Sequence, residues 1–188
     1  MELRKPVLLQ LLFVCALLSA SAQAQDSCEP WVARIESAEG RVEAKRSGQT
    51  TWQAVRLGDA FCYGDSIRVE DNSRAAVLLA PDQTLLRLDQ KTTITLTAPE
   101  PAAQASWLDL LRGAVHFISR TPQPLKIKTP YVNAAVEGTE FLLRVEPSRT
   151  ALWVYEGRVL ASNEHGELRL GGGEAALTEA GQAPRKRL

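Results

Sequence analysis

From residue 25 onward, almost every apolar stretch is short and closes on turn-forming residues, which restricts the chain to extended structure. Ser66-Ile67-Arg68-Val69-Glu70, Thr93-Ile94-Thr95-Leu96-Thr97 and Leu125-Lys126-Ile127-Lys128 alternate, so their apolar side chains share one face of a strand. Ala75–Ala80 and Ala151–Tyr155 are apolar throughout and Phe141–Val145 is apolar but for Arg144, a pattern that suits strands covered on both faces. Turn signals fall at Asp71-Asn72, Pro81-Asp82, Pro147-Ser148, Glu156-Gly157 and Asn163 to Gly166, close to the roughly 8–12-residue spacing of sandwiches and barrels. Only Ala102–Leu111 also reads as a helical turn, in its first half, ahead of a strand from Trp107; the Pro99-Glu100-Pro101 step before it is a connector. Glu39-Gly40-Arg41-Val42, Arg112-Gly113-Ala114-Val115 and Glu156-Gly157-Arg158-Val159 repeat a charged-Gly-x-Val pattern, read as corners where a Cβ would obstruct the backbone. The expected fold is all-β, a compact double-layered β-sandwich or roll of many short strands with glycine corners.

Residues 1–24 read as a secretory signal peptide. Arg4 and Lys5 precede an apolar run from Val7 to Leu18, and Ala22-Gln23-Ala24 offers small residues for cleavage. The other reading, a membrane anchor, would need about twenty apolar residues. No later apolar stretch approaches that length, so no stable span is expected after cleavage. Residues 25–178 form one domain in this reading, and 179–188 a polar tail or the start of a linker. The chain carries 22 basic and 22 acidic residues. The leader takes Glu2, Arg4 and Lys5 with it, leaving one net negative charge and no pull toward nucleic acid. Cys28 and Cys62 remain after cleavage, read as one disulfide in an oxidising compartment; two buried thiols are the other reading.

Residues that could carry catalysis are sparse and scattered. His116 alternates with Val115 and Phe117 and so points off the core side of a strand, and His165 lies in a turn. Neither has a metal-ligand companion at helical or strand spacing, and no nucleotide-binding or nucleophile-elbow motif occurs. Gly58-Asp59 and Gly64-Asp65 place two carboxylates on glycine-led turns, where Asp bonds local amides more often than it does acid–base chemistry. No catalytic residue, metal or cofactor is assigned. Trp52 lies between Thr51 and Gln53 in a polar stretch and is the first candidate for contact with a partner, against partial burial under the N-terminal segment.

One cluster is specific. Lys128-Thr129-Pro130-Tyr131-Val132 followed by Ala134-Ala135-Val136-Glu137-Gly138-Thr139-Glu140-Phe141 resembles the signature of the FecR domain family. Gly40-Arg41-Val42, the turns at Gly58-Asp59 and Gly64-Asp65, the strand Ala75–Leu79, Gly113-Ala114-Val115 and the hairpin around Gly157 resemble its other elements, in family order over residues 32–162. The resemblance implies an exported, non-enzymatic β module, periplasmic or secreted, that binds an envelope protein or glycan. It also implies an alternative: the signal-sensing domain of a transmembrane regulator that relays a transport signal to a cytoplasmic sigma factor. Such regulators place a cytoplasmic segment and a membrane helix before the domain, whereas here the domain follows the leader directly. Within the motif, Gly138 is expected at a strand corner, and Glu140 to need a partner if buried.

Overall fold

The structure, a computed structural model, describes residues 30–80, 83–98, 106–119 and 125–187. Its fifteen strands form one continuous hydrogen-bonded sheet. In chain order they are β1 (Ala33–Glu39), β2 (Val42–Lys45), β3 (Gln53–Ala54), β4 (Ala60–Phe61), β5 (Ser66–Val69), β6 (Arg74–Leu79), β7 (Leu85–Leu88) and β8 (Thr92–Thr97). There follow β9 (Ser106–Ile118), β10 (Leu125–Lys128), β11 (Asn133–Glu146), β12 (Arg149–Asn163), β13 (Gly166–Gly171), β14 (Ala175–Glu179) and β15 (Arg185–Arg187). The described residues contain no helix, and the all-β expectation holds.

Three of these strands are long, with 13, 14 and 15 residues in β9, β11 and β12. Each is shared between two layers. The first half of β9 pairs with β8 and with parallel β10, its second half with β7 and β11. The first half of β11 pairs with β10, and its second half with β9. β12 runs beside β11 along its whole length, with β14 on its first half and β13 on its second. Layer 1 is therefore β3-β2-β5-β8-β9-β10-β11-β12-β13, and layer 2 is β4-β1-β6-β7-β9-β11-β12-β14-β15. One apolar core lies between them.

The bends in the long strands invert which residues face inward. Leu108 and Leu110 are buried ahead of Gly113, Val115 and Phe117 after it. Ala134 and Val136 give way to Phe141 and Leu143 across Gly138, and Leu152 and Val154 to Val159 and Ala161 across Gly157. Each bend adds one residue, so a period-2 pattern resumes in the opposite phase and both halves still face the core. The register slips opposite Leu111, between Thr93↔Arg112 and Ile94↔Leu110, and that residue is left 50% exposed. β1 and β2 switch phase across Gly40 in the same way, from Ile35 to Val42. Phe117 and Phe141, in register on β9 and β11, stack with ring centroids 4.4 Å apart and lock the second halves together.

Two corners require glycine for different reasons. Gly113 has φ +91°, and a Cβ there would lie 2.4 Å from Thr92 Cα. Gly138 has no positive φ; its Cβ would instead meet Gly157 Cα at 2.8 Å and Glu156 O at 3.0 Å. At Gly138 it is contact between two backbones, and not φ, that demands glycine.

Several local expectations are corrected. Glu156-Gly157, read as a turn, is a bend inside continuous β12. Residues 185–187, read as polar tail, form β15, with Ala175↔Arg187 and Leu177↔Arg185 in register and Pro184 buried before them. Ala75–Ala80, Phe141–Val145 and Ala151–Tyr155, read as covered on both faces, all lie in layer 2 and are fully buried on the inner face. Outward, Leu78, Leu142 and Trp153 are half-buried and Tyr155 is exposed. The signal peptide, Cys28, Pro81-Asp82 and the helical turn begun at Ala102 lie outside the described residues.

A substitution series tests the corners. Gly138→Val and Gly113→Ala should each lower stability by about 3 kcal/mol or more, through overpacking and, at Gly113, forbidden φ. Gly48→Ala, at φ +75° but with nothing within 4 Å of the added Cβ, should cost only about 1 kcal/mol. Urea titration reads all three, and a Gly138→Val midpoint equal to wild type would contradict the backbone contact.

Candidate functional site

Both Gly-Asp turns use their carboxylates on the backbone. Asp59 Oδ2 accepts from Arg56 N at 2.7 Å. Asp65, 3% exposed, accepts from Ser47 N at 2.8 Å through Oδ1, and from Cys62 N at 3.0 Å and Arg46 Nη1 at 2.9 Å through Oδ2. Arg46 also donates to Ala60 O at 2.6 Å, with its guanidinium carbon 4.5 Å from the centroid of the Phe61 ring. The two turns and the β2–β3 loop are thus tied by part-buried charge-assisted bonds.

The Gly-Thr-Glu-Phe step divides between the two faces of layer 2. Phe141 enters the core stack, while Glu140 stays on the outer side, where its Oε1 lies 2.8 Å from His116 Nε2 on β9. Tyr155 of β12 sits edge-on to that imidazole, with centroids 5.6 Å apart at 76°. The Thr139 side chain lies outside the described set. His116 does point away from the core, and it supplies the partner that Glu140 needed. Sequence reasoning missed the pairing because the bend at Gly138 decides which residue of β11 stands beside His116. His165 lies elsewhere, in the β12–β13 turn, 3.4 Å from its neighbour Glu164. Among the described residues no three His, Cys, Asp or Glu side chains gather as metal ligands would.

Trp52 is half-buried on the outer face of layer 1. The Arg68 guanidinium carbon lies 4.3 Å from its ring centroid and Lys45 Nζ 5.4 Å. Arg68 Nε donates to Glu43 Oε2 at 2.7 Å, and Arg41 Nε and Nη2 to Glu43 Oε1 at 3.1 and 3.0 Å. The Arg68 bond, opposed by burial and reinforced by Arg41, holds the Glu43 carboxyl below the usual carboxylate range. Trp52 therefore caps a charged ladder across β2 and β5 rather than joining the core.

The family-like Thr129-Pro130 step has a clear local role. Thr129 Oγ1 donates to Val132 O at 2.6 Å, accepts from Val132 N at 3.1 Å, and lies 3.0 Å from Thr150 Oγ1. Likewise, Thr92 Oγ1 accepts from Ala114 N at 3.0 Å and donates to Ala114 O at 3.1 Å, satisfying backbone that the Gly113 bend removes from the ladder. The larger clefts are one of about 540 Å³ between the start of β10, the middle of β11 and β12 and the end of β13, and two that flank Tyr131.

Residues 65–160 match the family described as FecR protein, a span that holds the corners at Gly113, Gly138 and Gly157. In fold, the chain is similar to two crystal structures, at 1.65 and 2.50 Å resolution, of a provisionally assigned anti-sigma factor from Parabacteroides distasonis. The TM-score is 0.55 at 20% identity, over 65% of this chain and 58% of that one. Identity at that level speaks to the fold alone. No curated protein matches the chain.

Removing the Glu43 charge should weaken the ladder. Glu43→Gln is expected to cost about 1–2 kcal/mol near neutral pH, the scale of hydrogen bonds to charged groups. Because the folded carboxyl is held below its unfolded value, its contribution is present above the unfolded pKa and fades as pH falls through the folded one. The gap between variant and wild type in urea titrations should therefore close on acidification; a gap that persists at low pH would contradict this. Glu140→Gln, at a half-exposed pair, should cost no more than about 1 kcal/mol.

Proposed function

Since this chain belongs to the FecR protein family, we propose that it acts as a non-catalytic binding domain in the cell envelope. The observation that carries this reading is the commitment of its reactive side chains to structure. Asp59 and Asp65 cap turns, His116 is held by Glu140, and His165 lies in a separate turn. A hydrolase needs a nucleophile with a base in reach, or a metal with several ligands. What remains on the surface suits recognition: the Trp52 shelf, the half-buried outer face of layer 2 and the clefts at the strand ends.

The leader reading of residues 1–24 supports export, with the domain periplasmic or secreted once cleaved. Among the described residues no helix is long and apolar enough to cross a membrane. The same reading pairs Cys62 with Cys28 as one disulfide in an oxidising compartment. That bridge would tie the mature N-terminus to the loop that Asp65 organises.

A second reading, a periplasmic signal-sensing domain of a sigma-factor regulator system, is favoured by the fold similarity to the Parabacteroides protein. The two readings differ in where the protein resides and what it holds. The binding-domain reading expects the mature chain in the freely released envelope fraction and an envelope component retained on the purified domain. Replacing Trp52 by Ala should keep the fold and reduce that retention. Retention of the native protein by the inner membrane would favour the sensor, and turnover abolished by one point substitution would refute both.

A further inference from the structure

The turn from Thr129 to Val132 rises as a wall between two clefts, of about 440 and 660 Å³, at one end of the domain. We infer that this end is a carbohydrate site, in which an uncharged oligosaccharide lies across Tyr131. The inference rests on the binding-domain reading and gives it a place and a ligand class.

Tyr131 lines both clefts and is held at its hydroxyl and at its backbone. Its hydroxyl donates to Pro147 O, and its carbonyl accepts from Asn163 Nδ2 at 3.0 Å. Its turn is closed by the buried Thr129 hydroxyl, itself within 3.0 Å of Thr150 Oγ1. Asn163 Nδ2 donates also to Gln182 O at 2.7 Å, and Asn163 Oδ1 accepts from His165 N at 3.0 Å. One amide thus staples the β10–β11, β12–β13 and β14–β15 loops together. A site so fixed gives up little ordering entropy when a ligand arrives.

The groups offered to a ligand are neutral donors and acceptors together with charges of both signs. The smaller cleft presents the amide of Asn133 and the ammonium of Lys128, neither with a hydrogen-bond partner among the described residues, beside the Glu164–His165 pair. The carboxylates of the larger cleft already have cations: Asp71 with Lys91 at 3.6 Å, Glu70 with Arg68 at 3.0 Å, Glu146 with Arg149 at 2.5 Å. Half-exposed Leu111, bulged out by the Gly113 bend, adds an apolar patch there. A pyranose has a C–H face for an aromatic or aliphatic side chain and a rim of hydroxyls for amides, and this end supplies both kinds of partner. Over both linings the carboxylates of Glu70, Asp71, Glu146 and Glu164 outnumber the cations of Lys91, Arg112 and Lys128, so an anionic ligand would find no surplus of positive charge. A peptide adding to a sheet would need a free strand edge, whereas these clefts lie across strand ends. Both volumes fall in the usual range for small-ligand sites, and sharing Tyr131 they suit a chain of sugars rather than one.

The test is titration of the leader-free chain with oligomers of N-acetylglucosamine, standing for wall glycan, and of glucose, standing for secreted polysaccharide, followed by calorimetry and amide chemical shifts. Saturable binding to either series is expected, with the responding series naming the source and with shifts at Tyr131, Asn133 and His165. Tyr131→Ala should weaken it tenfold or more, and Tyr131→Phe far less. Melting curves run alongside; if Tyr131→Ala fails to fold, Asn133→Ala takes its place and should weaken binding several-fold. Binding indifferent to these substitutions, or no binding by the folded chain, would overturn the inference. A domain that binds no sugar yet retains an envelope protein would leave the binding-domain reading standing; one that retains neither would remove both.

Discussion

At the crossing of β11 and β12 two backbones approach more closely than any side chain permits. Gly138 sits against Gly157, and a single Cβ at the first position would lie 2.8 Å from the Cα of the second. The two strands are hydrogen-bonded partners in both layers, so they must bend together, and the bend leaves no room for side chains between them. Gly113 bends β9 beside them with positive φ, its displaced backbone caught by Thr92. Three adjacent strands therefore leave one layer and enter the other side by side. The layers are joined through the continuous hydrogen-bonded ladder, and the core is wrapped rather than merely covered.

This arrangement explains which features the sequence made legible. Period-2 alternation exposed most strand faces, and the repeated charged-Gly-x-Val pattern marked Gly40, Gly113 and Gly157 as corners. Those signals are local, and the physics behind them is local too. What escaped was pairwise. Gly138 was read as a corner by itself, because a sequence does not display the second glycine it touches. Arg185–Arg187 read as tail because a basic, polar stretch carries no apolar alternation; its strand forms through pairing with β14, helped by Arg185–Glu179 and Lys186–Glu174 contacts at 3.0 and 2.6 Å. The outward side chains of layer 2 were read as covered because an apolar run does not say whether a second sheet lies beyond it.

The functional residues follow the same division. Turn aspartates were legible from Gly-Asp alone, since such carboxylates bond neighbouring amides. The His116–Glu140 pair, the cations on Trp52 and the loops stapled by Asn163 each join residues far apart in sequence. They arise from strand register, which the glycine bends set. Outer surfaces and strand ends are what this scaffold makes available for recognition. The loops at the Tyr131 end are anchored by the same β11 and β12 that cross at the paired glycines.

If the crossing unites the layers, they cannot come apart singly. Native-state hydrogen exchange in low urea measures this directly, because it assigns an opening free energy to each amide. Amides of β5 and β8 in layer 1 and of β6 and β7 in layer 2 should converge on one opening free energy, equal to that of global unfolding, with β9, β11 and β12 on both sides of their bends. Two separate plateaus, one for each layer, would contradict the account.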